Sequence, residues 1–210
     1  MAGFFVELSM IVLEKDTDIF QYVSERNRAR QYDFLRTAFE VSKAIPEFAV
    51  GKEFLCDLNF YAVQYLSPQP GRYRHDGYNV TVGKHVPPTF DRVDGLMQRF
   101  WEQLGRLWER MSALESAAFA LWSVNHIHPF AEGNGRSSRA LTYFVLCTKL
   151  GYWLPGNLTI TEQIRTTERK RYCDILNRMD HAMDREGMTD LAEMVVLLDE
   201  LLVKQLQSAP

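Results

Sequence analysis

The chain has little of what most often betrays a function. It carries three cysteines, Cys56, Cys147 and Cys173, odd in number, far apart and without a CxxC pair. That pattern excludes a disulfide framework and argues against a cysteine-ligated zinc site; packed, reduced thiols in a cytoplasmic protein are the expectation. Charge of one sign is not in excess: 24 Lys and Arg stand against 27 Asp and Glu, for a net charge of −3. A sequence-independent grip on nucleic acid needs a basic face, so no nucleic-acid partner is expected. No uninterrupted apolar run is long enough to cross a bilayer, so no membrane partner is expected either. Met1 to Leu13 is partly apolar but has no basic lead and no long apolar centre, and reads as a terminal segment, not a signal peptide. Repeats and low-complexity tracts are absent.

What remains is an ordinary globular composition, 46% apolar over 210 residues, enough for one compact domain or for a core with an N-terminal extension. The periodicity is overwhelmingly helical. Phe20, Val23, Tyr32, Leu35 and Phe39 recur at helical intervals from Asp18 to about Lys43, and Pro46 stops the run. Further helices are predicted over Lys52–Leu66, Phe90–Arg110, Ser112–Asn125 (opened by a Ser112/Glu115 capping box) and Arg136–Leu150, with Gly151 as the stop. Thr159 with Glu162 predicts a helix to about Ala182, and Thr189 caps the last. One strand pair is predicted, Arg72–His75 and Tyr78–Val82 about the Asp76-Gly77 turn, ended by Pro87 and Pro88. The fold class is therefore all-α with a small β-hairpin.

One segment outweighs the rest: residues 128–139, His-Pro-Phe-Ala-Glu-Gly-Asn-Gly-Arg-Ser-Ser-Arg, between two predicted helices. Gly133-Asn134-Gly135 at a helix start can turn sharply and present consecutive backbone N–H groups to an anion. Arg136 and Arg139 share a helical face just inside that N-terminus, where cations oppose the helix dipole unless a multiply charged anion sits between them. Glu132 beside such an anion is consistent with Mg²⁺, which binds through one carboxylate plus substrate phosphates. His128 offers a neutral imidazole as general base, Pro129 stiffens the step after it, and Phe130 anchors the loop in the core. His126 and His128 with Glu132 could suggest zinc, but two neighbouring cations suit polyphosphate better.

From Ile127 to Arg139 the chain resembles the Fic signature, HPFx(D/E)GNGRxxR, at every fixed position. The similarity extends through Arg72-Tyr73-Arg74, Asn79 to Gly83 and Pro87-Pro88, which look like the family's flap, and through Tyr172 to Leu176, which resemble its following helix. It covers about Lys52 to Leu202; the division expected is an N-terminal helical extension, 1–50, and a Fic domain, 51–210. The resemblance implies the all-α Fic core and a protein adenylyltransferase, which moves AMP from ATP to a Ser, Thr or Tyr hydroxyl of a target protein and releases pyrophosphate. It implies His128 as base and Glu132 as the Mg²⁺ ligand. Gly133, Asn134 and Gly135 cradle phosphates, the Asn134 side chain assisting; Arg136 braces the α/β region in catalysis, and Arg139 reaches the γ-phosphate. By β-augmentation, the flap from Tyr73 through Val80, Thr81 and Val82 would align the target segment.

Rival readings are a Fic-fold transferase with another nucleotide donor, and a non-catalytic regulatory or binding module. Retention of Gly135 favours AMP, since phosphorylating relatives replace that glycine with lysine. Many Fic proteins carry an inhibitory helix, [S/T]xxxE[G/N]. Ala182 to Gly187, Thr189 to Glu193, and Glu25 all miss the pattern. No inhibition, a small antitoxin-like partner in a toxin-like system, and a divergent internal helix stay open, as does homo-oligomerisation.

Overall fold

The computed structural model describes residues 12–45, 50–75, 77–83 and 85–209. Among them are eight α-helices: α1 Asp18–Ala44, α2 Lys52–Val63, α3 Phe90–Leu107, α4 Ala113–Ile127, α5 Asn134–Leu150, α6 Ile160–Thr166, α7 Arg169–Glu186 and α8 Ala192–Gln207. The all-α architecture stands.

The molecule is built around α4 and α5, which pack on each other more extensively than any other pair. Both are buried nearly all round, so neither shows a one-sided apolar stripe. α4 contributes Ala117, Ala118, Leu121 and Val124; α5 contributes Leu141, Phe144, Val145 and Leu146, all within the main core. The polar residues of α5 that face inward are hydrogen-bonded. Ser138 accepts from Asn125 Nδ2 at 2.8 Å, and Thr142 donates to the Ser138 carbonyl at 2.7 Å. α2 and α1 cover one side of the pair, α3 another, and α6–α8 a third.

α4 opens on the predicted capping box: Ser112 and Glu115 each bond the other's backbone N–H. Gly151 ends α5 in the left-handed region at φ +79°. α1 buries Leu35 and Phe39 of the predicted apolar stripe and packs Phe20 and Val23 on the cluster of Ala62, Val63 and Leu66, while Tyr32 stays at the exposed edge and Asn27 and Gln31 join the buried face. Asn27 Nδ2 donates to Gln64 O at 2.8 Å and Gln31 Nε2 to Leu58 O at 2.7 Å, so amide side chains fasten α1 to the end of α2. Pro46, expected to stop that helix, lies outside the described residues.

Three expectations need correction. The segment from Thr159 is two helices: Thr167 and Glu168 both turn their N–H groups onto Gln163 O, ending α6 so that α7 can start in a new direction. Thr189 does not cap α8; its hydroxyl donates back to Met179 O, and Asp190 Oδ1 takes the Ala192 N–H instead. The strand pair is the third. The turn forms, with Tyr78 N bonding His75 O and Gly77 at φ +84°, but no ladder joins 72–75 to 78–82 among the described residues. Tyr73 bridges to Phe130, and Val82 to His85. The backbone groups on either side of the turn are claimed by other parts of the chain.

Candidate active site

The loop between α4 and α5 is fixed from within by its own side chains. Asn134 Oδ1 accepts from Phe130 N at 2.9 Å while its Nδ2 donates to Phe130 O at 2.8 Å, closing the turn. Asn134 is thus buried, with both ends of its side-chain amide bonded to the backbone of Phe130. Phe130 is fully buried, its ring 5.3 Å from that of Tyr73. Gly133 begins α5 at φ +83°, and a Cβ there would stand 2.5 Å from Val63 Cγ1, so both backbone and space demand glycine. Gly133 O accepts from Arg136 N and Ser137 N, whereas the amides of Asn134 and Gly135 make no backbone hydrogen bond among the described residues. Both stand at the positive end of a 17-residue helix.

His128 caps α4 in the left-handed region, φ 54° and ψ 59°, a conformation uncommon outside glycine and often found at functional positions. Its Nδ1 lies 3.2 Å from Asn125 O; as an N–H donor it leaves Nε2 with a free lone pair. Burial pushes the imidazole down to about 4, outweighing the hydrogen bond to Asn125, and nearby His85 and Arg74 push the same way. The ring is therefore neutral at physiological pH.

Arg136 and Arg139 lie one helical turn apart beyond the free amides. Arg136 Nη1 donates to Ala62 O at 2.7 Å. Arg139 folds back over the helix start, with Nη1 3.1 Å from where a Cβ on Gly135 would be. It has no hydrogen bond or ion pair among the described residues. Burial lowers its pKa, and Arg169, Arg165 and Arg28 lower it further. Arg28, Arg136, Arg139 and Arg165 line one cavity; its carboxylate, Glu162, is held by Arg165 through both oxygens. A buried guanidinium that makes no direct ion pair among the described residues, beside other guanidiniums, suits a multiply charged anion.

Glu132, just before Gly133, is half-exposed. Its Oε1 accepts from Lys15 Nζ at 2.9 Å, and its other oxygen has no partner among the described residues. Asn59 Nδ2 holds its carbonyl at 2.9 Å. His126, weighed with His128 and Glu132 as a zinc trio, turns elsewhere: its Nδ1 is 2.8 Å from Asp180 Oδ1, which also accepts from Trp122 Nε1. His85 faces the other oxygen of Asp180 at 3.3 Å and, through Nε2, His126 O at 2.8 Å.

Residues 49–146 match the model of the Fic/DOC family. This segment is similar to that family. Two similar curated proteins are named protein adenylyltransferase Fic. That of Drosophila persimilis is 42% identical over 102 residues, and that of Drosophila willistoni 40% over 100. Each alignment covers 47% of this chain, and 19% and 20% of the respective relative, so the chain spans about a fifth of the curated relatives it matches. Among solved structures, a Fic-domain-containing signaling protein from Bacteroides thetaiotaomicron superposes with a TM-score of 0.69 at 17% identity, covering 93% of this chain and 72% of that one. Fic-1 from C. elegans gives 0.69 at 18%, covering 93% and 53%. These two likenesses concern the fold alone.

Of the residues singled out in the sequence, His128, Glu132 and Gly133 lie on the loop between α4 and α5, and Gly135, Arg136 and Arg139 on the first turns of α5. The flap set divides. Thr81 and Val82 are exposed and Val80 half-buried, whereas the Tyr73 side chain is buried against Phe130. The residue that sequence reasoning missed is Arg74. Only 2% exposed, it donates from Nε to His128 O at 2.8 Å, from Nη1 to Tyr78 O, and from Nη2 to Ile127 O and Pro88 O. Burial lowers its pKa, and carbonyls alone receive it. One guanidinium thus clips the flap to the backbone of the proposed base. Carbonyls carry no residue identity, so no sequence pattern could reveal those partners.

Proposed function

We propose that this chain is a protein adenylyltransferase that transfers AMP from ATP to a Ser, Thr or Tyr hydroxyl of a target protein. The observation that carries the reading is the conjunction of a neutral His128 at the end of α4 and a buried Arg139, without a direct ion pair among the described residues, in the first turns of α5. The helix-start amides of Asn134 and Gly135 lie between them in the chain. That is what in-line displacement at a phosphorus requires: one proton acceptor, and fixed positive charge where negative charge accumulates.

His128 Nε2 takes the proton of the target hydroxyl as its oxygen bonds to the α-phosphorus. The bond from that phosphorus to the bridging oxygen breaks, and pyrophosphate leaves. The Asn134 and Gly135 amides receive phosphate oxygens; Arg136 braces the α/β region and Arg139 the γ-phosphate. The donor set around Glu132 fits magnesium: one hard carboxylate with a free oxygen, half-exposed so that waters can complete the shell, beside a phosphate site. Bound there, magnesium would neutralise charge on the phosphate oxygens. Exposed Thr81 and Val82, with half-buried Val80, would receive the target segment beside His128, held at that distance by Arg74.

Incubation with labelled ATP, magnesium and cell lysate tests this reading. Label should appear on protein with the mass of an AMP adduct, and be lost with His128→Ala. No label from any nucleoside triphosphate, or equal label from His128→Ala, would end it.

A further inference from the structure

Lys15 stands apart from everything assigned above. It lies 117 residues from Glu132 in sequence, yet its Nζ sits 2.9 Å from Glu132 Oε1. It is held there. Leu13 N donates to Tyr65 O at 2.9 Å, and the Leu13 side chain packs on the small cluster of Ala62, Val63 and Leu66. Asp16 turns the chain at φ +68°, and Thr17 both caps α1 and donates to Glu14 O.

The end of α2 is a common support. Ala62 O receives Arg136, Val63 backs Gly133, Asn59 holds the Glu132 carbonyl, and the same cluster seats Leu13. The Lys15 turn and the loop are thereby fixed relative to each other. The pair itself is open, with 66% of the Lys15 side chain and 42% of the Glu132 side chain accessible. Exposed pairs of this kind contribute about 0–1 kcal/mol, so this one is readily exchanged and does little for the fold.

We propose that Lys15 is a further nucleotide-binding residue, which pairs with Glu132 in the unloaded protein and transfers to a phosphate oxygen when a triphosphate enters. The inference rests on the nucleotide-binding part of the proposed function. Glu132 would release the ammonium on holding a metal ion, and the accompanying phosphates would bring more negative charge than the ion removes. Lys15 then has a new anion within a side chain's reach, without movement of its backbone. An ammonium suits this, being a compact charge with three donors that can re-aim.

The test is calorimetric titration of the full chain with α,β-methylene-ATP, which cannot release pyrophosphate, in the presence of magnesium chloride. Lys15→Met should weaken binding about tenfold, as loss of one charge-assisted hydrogen bond would, and Lys15→Arg should restore most of it. The deficit of Lys15→Met should shrink at high salt, and both variants should melt as wild type does. Unchanged or tighter binding by Lys15→Met, with wild type binding normally, overturns the role of Lys15 alone; tighter binding would mean that it merely competes with the metal for Glu132. If wild type itself takes up no analogue, the proposed function falls with it.

Discussion

The α4–α5 loop and the flap meet at Tyr73 and Phe130, yet they are held in opposite ways. The loop is fixed by contacts on several sides: Asn134 closes it, Gly133 fits against Val63, and Asn59 and Arg74 hold its carbonyls. The flap beyond Arg74 is exposed, and its described residues are joined by one turn bond and one isolated bridge. Groups that must meet a phosphorus within a fraction of an ångström belong on the first kind of structure. A surface that receives an extended peptide can be the second kind, because pairing with the guest supplies the missing hydrogen bonds. Arg74 joins the two, so the geometry of the rigid part reaches the loose one.

The sharpest way to separate the regions is through their chemistry. His128→Ala should lower AMP transfer by about 10²- to 10⁴-fold with the fold intact, read by initial rates and thermal melting. The same residue sets a pH signature. With the imidazole pushed down to about 4, the acid limb of kcat/KM should fall there and not near the ordinary ~6.5. A limb at the ordinary value would show that the ring is not desolvated in the free protein. Linkage gives the sign for stability: between these two values the unfolded chain binds the extra proton, so stability falls as pH drops through that window. His128→Gln should flatten this part of the profile.

Stability distinguishes the regions next. Phe130→Ala should cost about 3–5 kcal/mol in denaturant unfolding, since the ring is fully buried. Arg74→Leu should cost about 3 kcal/mol by leaving several inward carbonyls without a donor, and should also slow transfer by freeing His128 and the flap together. If Arg74→Leu melted as wild type does, the clip between the regions would not exist. The smallest effect is expected in the flap: Thr81→Gly with Val82→Gly should shift stability by about 0.5 kcal/mol or less, leave nucleotide binding unchanged, and slow modification of the target protein. Equal loss with a free small hydroxyl acceptor would argue that the flap shapes the base and not the target.

The sequence was most legible where chemistry is local. The His128-to-Arg139 run, the Ser112/Glu115 box and the Gly151 stop were readable because each depends on residues within a few positions of one another. The flap misled for the converse reason. Alternation and Asp76-Gly77 report a turn correctly, but pairing is a competition between edges, and Phe130 took Tyr73. In α1 the apolar spacing reports Leu35 and Phe39 correctly, but carbonyls at Leu58 and Gln64 also draw Gln31 and Asn27 inward, which no spacing could show.

By itself the sequence determined the helical class, the punctuation of most helices, and which atoms could donate, accept or take a proton on one short loop, because propensity and chemistry are properties of neighbours along the chain. Only the tertiary structure decided that Asn134 locks the loop, that His128 is neutral through burial, that Arg139 lies buried among other guanidiniums while Glu132 has Lys15, and that Arg74 ties flap to base. Desolvation and carbonyl geometry depend on which distant segments are brought together, and that is settled by packing.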